Sequence, residues 1–326
     1  MTNVCIVGYG AIGPIHAESV SLLPNVCVYA ICDIDQTRAV AGAKQYSCKV
    51  FSNIEECLKD DNIDSIHICT PHYLHFEMIE KCIAAGKQVV VEKPIVMTQD
   101  ELECLYTKYL GKPVFPIMQN RTNTCIQKLK EIMEKEPELG RFQAVKGLLT
   151  WCKDIHYYQR DFWRGTKTYE GGGVLINQSI HTLDLMLYLG GAVRSVYANT
   201  SNKSLQGVIE VEDTVDARLN FENGAVGIFY ATNGYVKNSP IQIEWEFEHA
   251  SFRYMDSKLY RDGLLICQDE GNFLGKDYWG FGHERQLYDI YVKKNPITLG
   301  DVKHTMQTMF AMYKSATIDD IVEIGK

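Results

Sequence analysis

The chain has 326 residues and a formal net charge of −8, with acidic and basic residues interspersed. No basic face invites nucleic acid and no apolar run approaches the roughly 20 residues of a membrane span, which argues against both partners. The length suits two domains better than one core. The eleven cysteines are odd in number and include no C-x-x-C pair. Cys5, Cys27, Cys32 and Cys69 sit inside apolar strand-like runs, so they read as reduced core thiols. The first strand begins at once, leaving no room for a signal peptide, so a cytoplasmic protein is expected.

Asn3 to Val7 is a β-prone run, Gly8-Tyr9-Gly10-Ala11-Ile12-Gly13 follows it, and Ala11 to Leu23 carries helical apolar spacing. In that order each glycine has a task. Gly8 allows the tight turn, Gly10 lets the backbone approach a pyrophosphate, and Gly13 lets helix and strand pack closely. The N–H groups at the helix start, around Ala11 and Ile12, then face the phosphates. A second strand, Val26 to Cys32, ends in Asp33, twenty residues past Gly13. That is near the separation expected of the acid that bonds the adenosine ribose. A carboxylate there repels a 2′-phosphate, Ile34 adds no positive charge, and Arg38 reads as a solvated position on the next helix. NAD is therefore favoured over NADP.

Strands and helices alternate onward through Ser65 to Cys69, the helix His75 to Ala85, Gln88 to Val91, the helix Gln99 to Tyr109, and Val114 to Met118. Residues 1–119 thus form a doubly wound parallel sheet. The run Val89 to Val91 ends in Glu92-Lys93-Pro94, where the proline holds Lys93 extended. A lysine at a strand end is more often a solvated terminus. Here, however, ligands bind beyond the carboxyl ends of the strands, and Thr70-Pro71-His72 closes the preceding strand at the same edge. His72 and His75 have H-x-x-H spacing, but no third ligand is apparent and His75 begins a helix, so no metal site is expected.

After a polar helix at Thr124 to Glu134 the pattern becomes strand-rich. Val215, Ala217, Leu219 and Phe221 alternate with polar neighbours, as do Ile241, Ile243, Trp245 and Phe247. Asn223-Gly224 and Asp262-Gly263 are hairpin turns. Residues 120–326 form an open, mainly antiparallel sheet with helices on one side. Apolar residues on its other face suggest a partner subunit, in a homodimer or homotetramer. Gly171-Gly172-Gly173 opens a helix from Val174 to Leu189, with Ile176, Ile180, Leu183 and Leu187 as its core stripe. Asn177, His181, Asp184 and Tyr188 follow as a polar stripe. These side chains either pair locally or line a pocket in which His181 is the acid/base. Just upstream, Tyr157 to Gly165 mixes aromatics with arginines, which suits sugar sites as well as cores. Tyr158, Trp163 and Arg164 are its candidates, because the segment runs into the pocket helix. The closing helix, 302–318, could pack back on the first domain.

On these motifs the chain resembles the glucose-fructose oxidoreductase and inositol dehydrogenase family, Gfo/Idh/MocA, over nearly all its length. The resemblance rests on Gly8 to Gly13, the Thr70-Pro71 to His75 segment, Ala84-Ala85-Gly86-Lys87 to Glu92-Lys93-Pro94, and the helix from Gly171-Gly172-Gly173 through His181 to Asp184. It implies a Rossmann domain followed by an α/β domain with a large open sheet, NAD or NADP as cofactor, dimers or tetramers, and sugar or polyol substrates. Thr70, Pro71, His72, His75, Glu92 and Lys93 would join the glycine loop, Asp33 and Ile34 around the cofactor. Lys93 would contact the reacting hydroxyl and His181 would act as base, while Asn120 and Asn177 orient neighbouring hydroxyls. Asn177 is a departure, since many members place an aspartate there and an amide cannot hold an imidazolium by charge. The implied reaction is hydride transfer between NAD(P) and a ring hydroxyl of a sugar, glycoside or cyclitol, with C3 of a glucopyranoside as the first expectation. Two alternatives stay open: a retained-NAD redox cycle driving elimination or hydrolysis, and a non-catalytic nucleotide-sensing protein of the same fold.

Overall fold

The computed structural model describes residues 1–270 and 282–325. The chain divides into two compact units, residues 1–119 with 272–302, and residues 120–271 with 303–326.

The first unit is a six-stranded sheet in the order β3-β2-β1-β4-β5-β6, every pair parallel. Its strands are β1 (Thr2–Val7), β2 (Val26–Cys32), β3 (Lys49–Phe51), β4 (Ser65–Ile68), β5 (Gln88–Val91) and β6 (Val114–Pro116). Helices connect them: α1 (Gly13–Ser21), α2 (Gln36–Tyr46), α3 (Ile54–Lys59), α4 (His75–Ala84) and α5 (Gln99–Tyr109). Parallel strands covered on both faces should be apolar without alternation. Val89, Val90 and Val91 are accordingly all buried, as are Val4, Cys5, Ile6 and Val7. Local chemistry sets the helix starts. Thr98 and Glu101 form a capping box on α5, Asp35 caps α2, and Pro14 in the first turn places the start of α1 at Gly13. The return segment adds a helix at Gly282–Tyr288 and a π-helical turn at Asp289–Lys293. It is anchored by Gln286, which accepts from Met118 N–H at 3.0 Å and donates to the Pro116 carbonyl at 2.7 Å. No periodicity in the sequence announces that return.

The second unit carries a nine-stranded sheet in the order β14-β13-β12-β11-β7-β10-β9-β8-β15. The strands are β7 (Phe142–Thr150), β8 (Val193–Ser201), β9 (Thr214–Phe221), β10 (Val226–Thr232), β11 (Gln242–Phe247), β12 (Ser251–Met255), β13 (Lys258–Arg261), β14 (Leu264–Gln268) and β15 (Val322–Glu323). It is mixed, since β7 and β10 pair in parallel while the other pairs are antiparallel. The helices are α6 (Thr124–Lys135), α7 (Ile155–Gln159), α8 (Lys167–Glu170), α9 (Ile180–Gly190) and the closing helix Leu299–Ile318, whose residues from Lys303 on belong to this unit. The alternating residues of β9 and β11 turn Val215, Leu219, Phe221, Ile243 and Trp245 into the core. There α9 approaches β7 so closely that a Cβ on Gly147 would lie 2.3 Å from Met186 Sδ. Both expected hairpin turns form, and Gly224, Asp262 and Gly263 all have positive φ.

The outer face of the sheet carries both apolar and charged residues: Ile228 is half-exposed, Asp216 and Arg218 are exposed on β9, and Lys146 pairs with Glu244 at 2.7 Å. One expectation is corrected. The helix expected to run unbroken from Val174 is instead a π-helical turn, Val174–Gln178, followed by α9. The break has a local cause. Ser179 N–H and Oγ–H both donate to the Val174 carbonyl, at 2.9 and 2.8 Å, while Leu175 N–H donates to Glu212. Among the described residues no helix is long and apolar enough to cross a membrane.

Trp245 is the bulkiest fully buried side chain. Its truncation to alanine is expected to cost about 3–5 kcal/mol in a urea unfolding experiment. A loss below ~1 kcal/mol would show that the core lies elsewhere.

Candidate functional site

In the first unit the loop after β1 has the shape that its glycines predict. Gly8 has φ +91°, and a Cβ there would meet the Cys69 carbonyl at 2.7 Å. A Cβ on Gly13 would lie 2.3 Å from Gly8 O, whereas one on Gly10 would have nothing within 4 Å. The crest of the loop is therefore open and its two feet are closed. Ala11 and Ile12 lead from that crest into α1, which no side chain caps, as suits an anion at its N-terminus. Asp33 braces the loop, accepting from Tyr9 N–H at 2.6 Å and from Asp35 N–H at 2.8 Å. Ile34 beside it is 93% exposed. An open crest, an uncapped helix start and a carboxylate at the β2 end fit a dinucleotide.

At the ends of β4 and β5, Thr70, Pro71 and Lys93 are half-buried. His72 and His75 are buried, with ring centroids 6.0 Å apart. The His75 nitrogens lie 2.7 Å from the Pro94 carbonyl and 2.9 Å from that of Thr70, so its side chain bridges the two loops. Burial lowers its pKa, against the raising effect of the two carbonyls. Glu92, expected at the cofactor, is likewise turned inward and lies 3.0 Å from His16 Nε2. Among the described residues, His16, Glu92 and His283 bring possible metal-ligand atoms within 4.8 Å of one another. The Glu92 carboxylate already accepts hydrogen bonds there, from His16 and from Lys93 N–H at 3.2 Å.

In the second unit the π-helical turn Val174–Gln178 is the centre of a polar shell. Asn177 Nδ2 donates to Glu170, whose other oxygen accepts from Gly165 N–H. Glu212 accepts from Leu175 N–H at 3.0 Å and from the Tyr313 hydroxyl at 2.8 Å. Gln178 donates to the Tyr157 hydroxyl at 3.2 Å and accepts from Asn233 at 3.0 Å; Asn233 also donates to Tyr158 at 3.0 Å. Arg164 donates to Tyr157 at 2.6 Å and to Asp161 at 2.8 Å, and its guanidinium lies 4.4 Å from the Trp163 ring centroid. Asn177, Tyr158, Trp163 and Arg164 thus belong to one shell, with Tyr158 in its interior. His181, in the first turn of α9, is half-buried. Asn120 lies in the turn Gln119–Thr122 and is 8% exposed. Its Oδ1 has no hydrogen-bond partner among the described residues, a deficit that a ligand would meet.

The polar stripe on α9 divides. Asp184 is bonded by Arg121 at 2.8 and 2.6 Å and by Thr305 at 2.7 Å. Tyr188 takes Arg121 over its ring and accepts from Lys130 at 3.1 Å. These two residues hold the unit together rather than lining a pocket. Sequence reasoning missed Glu170, Gln178, Glu212 and Asn233. Gln178 could have been found beside Asn177, and Glu170 directly before the three glycines, whereas Glu212 and Asn233 are distant in sequence and carry no local signal.

Residues 2–112 match the NAD-binding Rossmann-fold domain of the Gfo/Idh/MocA oxidoreductases, and residues 126–253 match a C-terminal domain of the same family. The chain belongs to the Gfo/Idh/MocA family. Its first unit is the NAD-binding one, and it is an oxidoreductase. Myo-inositol 2-dehydrogenase of Thermotoga maritima is 26% identical over 308 residues, covering 92% of this chain and 88% of the relative. An uncharacterized oxidoreductase of Bacillus subtilis, YrbE, is 30% identical over 230 residues, covering 68% of this chain and 64% of the relative, just under two thirds of its length. The WlbA dehydrogenase of Bordetella pertussis, solved in complex with NADH and UDP-GlcNAcA, has the same fold, with a TM-score of 0.86 at 24% identity over 100% of this chain and 98% of that one.

Burial pushes the Glu170 carboxyl up to about 7 from an ordinary value of 4.5, against the lowering effect of its bonds from Gly165 and Asn177. The folded chain therefore holds this proton more tightly than the unfolded chain. The stabilisation is full below the unfolded value and is lost as pH rises through the folded one. Between pH 5 and pH 8 the stability difference between Glu170→Gln and the parent should shift in the variant's favour by up to about 2.5 kcal/mol. Urea unfolding at the two pH values checks this, and a difference independent of pH would contradict it.

Proposed function

We propose that the protein transfers a hydride between NAD and a ring hydroxyl of a sugar, glycoside or cyclitol. The shell around Asn177 carries this reading: amide, hydroxyl and guanidinium groups from several segments meet aromatic faces around one turn. The same reading draws on the relatives, one named for its action on a cyclitol and another solved with a nucleotide sugar acid.

NAD, when bound, supplies the hydride acceptor. His181 takes the hydroxyl proton as general base. Lys93 donates to the same oxygen and stabilises the charge that develops on it. Asn177 and Asn120 bond neighbouring hydroxyls and fix which carbon reacts. Glu170 holds the Asn177 amide nitrogen, so a buried carboxyl lies next to the position where many family members carry an aspartate. A cytoplasmic location and assembly as a homodimer or homotetramer complete the proposal.

The test is NADH formation by the purified protein against a panel of inositols, hexoses, glycosides, sugar acids and nucleotide sugars. Lys93→Ala should lower turnover on any active substrate by about 10²–10⁴-fold and leave NAD affinity, measured by calorimetry, little changed. Near-normal turnover in that variant would remove Lys93 from the chemistry. Silence of the parent across the whole panel, with NAD bound, would overturn the proposed reaction.

A further inference from the structure

Behind Lys93, inside the first unit, six buried polar side chains meet: His16 on α1, Ser65 and His67 on β4, Glu92 after β5, and His283 and Tyr291 on the return segment. Five of them form an unbroken line. The Ser65 and Tyr291 hydroxyls are 2.7 Å apart, and the Tyr291 hydroxyl is 2.7 Å from His67 Nε2. His67 Nδ1 is 2.9 Å from His16 Nδ1, and His16 Nε2 is 3.0 Å from Glu92 Oε1. The other Glu92 oxygen accepts from Lys93 N–H at 3.2 Å, while His283 Nε2 stands 3.4 Å from Oε1 without making a hydrogen bond.

Hydrogen-bond chemistry restricts how protons can be arranged along this line. Two facing ring nitrogens share one proton, so the tautomer of either histidine dictates that of the other. Burial lowers the pKa of both His16 and His67, so both rings are neutral. Burial alone would raise Glu92, but the bond from His16 and the nearby His283 imidazole hold its carboxyl well below the ordinary range, so it is an anion that can only accept. His16 must then carry its proton on Nε2 and accept at Nδ1. His67 must carry its proton on Nδ1 and accept at Nε2 from Tyr291, whose oxygen accepts from Ser65. Each donor along the line points toward Glu92, and Glu92 ends at the peptide of Lys93.

We propose that Glu92 is a positioning residue that acts through Lys93: its carboxylate ties the first turn of the glycine-loop helix, at His16, to the strand end that carries Lys93, and His67 is locked as the Nδ1–H tautomer that this tie requires. The kinetic half rests on the reading of Lys93 given above, and the tautomer half does not.

Histidine labelled with nitrogen-15 in the full chain, with the two rings assigned through His16→Gln and His67→Gln, tests the tautomer half. The expected spectrum shows His16 protonated on Nε2 and His67 on Nδ1, both neutral at pH 7. His67 protonated on Nε2, or a stoichiometric metal found by elemental analysis of the purified protein, would overturn the proposal, because His16 Nε2 would no longer be the donor to a free carboxylate. Kinetics test the coupling. Glu92→Gln should lower kcat by about 10–100-fold with the KM for NAD little changed, and should lower it no further in a Lys93→Ala background. An equal loss in both backgrounds would mean that Glu92 is only structural. A Lys93→Ala variant with normal turnover would sink the catalytic reading of Lys93 and this coupling together, while the tautomer result would stand by itself.

Discussion

A carboxylate taken out of water must find donors inside the protein, and the loops of both units are arranged around meeting that demand. Glu92 is met by His16 and the Lys93 peptide, and Asp184 by Arg121 and Thr305. Asp213 is met by the N–H groups of Ser204 and Leu205, at 2.7 and 2.8 Å. Glu170 and Glu212 hold the π-helical turn from either side. For Asp184 and Glu212, and for the His16 bond to Glu92, the donors come from chain segments far apart in sequence. The same bonds that offset desolvation therefore also pin irregular backbone where a regular ladder could not.

That pinning explains why several of the candidate residues lie on turns. Lys93 follows β5, Asn120 lies in a short turn, and Asn177 and Gln178 sit in the π-helical turn before α9. Such segments have few backbone ladder bonds of their own, so side chains must set their geometry. A cradle open at Gly10 and closed at Gly8 and Gly13 shows the same logic with no side chains at all, since there the constraint is steric.

Much of this was legible in the residues. The glycine loop, Asp33 and the strand bearing Lys93 follow one another in sequence, and each obeys a local rule of turn, spacing or strand end. The alternation of β9 and β11 and the hairpins at Gly224 and Gly263 are equally local. Other features were not legible because they arise from pairing at a distance. The stripe on α9 looked like one polar face. Arg121, sixty-three residues upstream of Asp184, gives half of it to the interior. His75 and Glu92 looked like ligand contacts by position, yet burial turns both toward protein partners.

By itself the sequence determined the parallel NAD-binding sheet, the strand-rich second half and the family, because periodicity, glycine geometry and motif order are properties of neighbouring residues. Tertiary structure alone decided the return of residues 282–302 to the first unit, the π-helical turn at Val174–Gln178, and the line from Ser65 to Glu92. Those features depend on which buried donor meets which buried acceptor. That choice is made only when segments hundreds of residues apart are packed together without water.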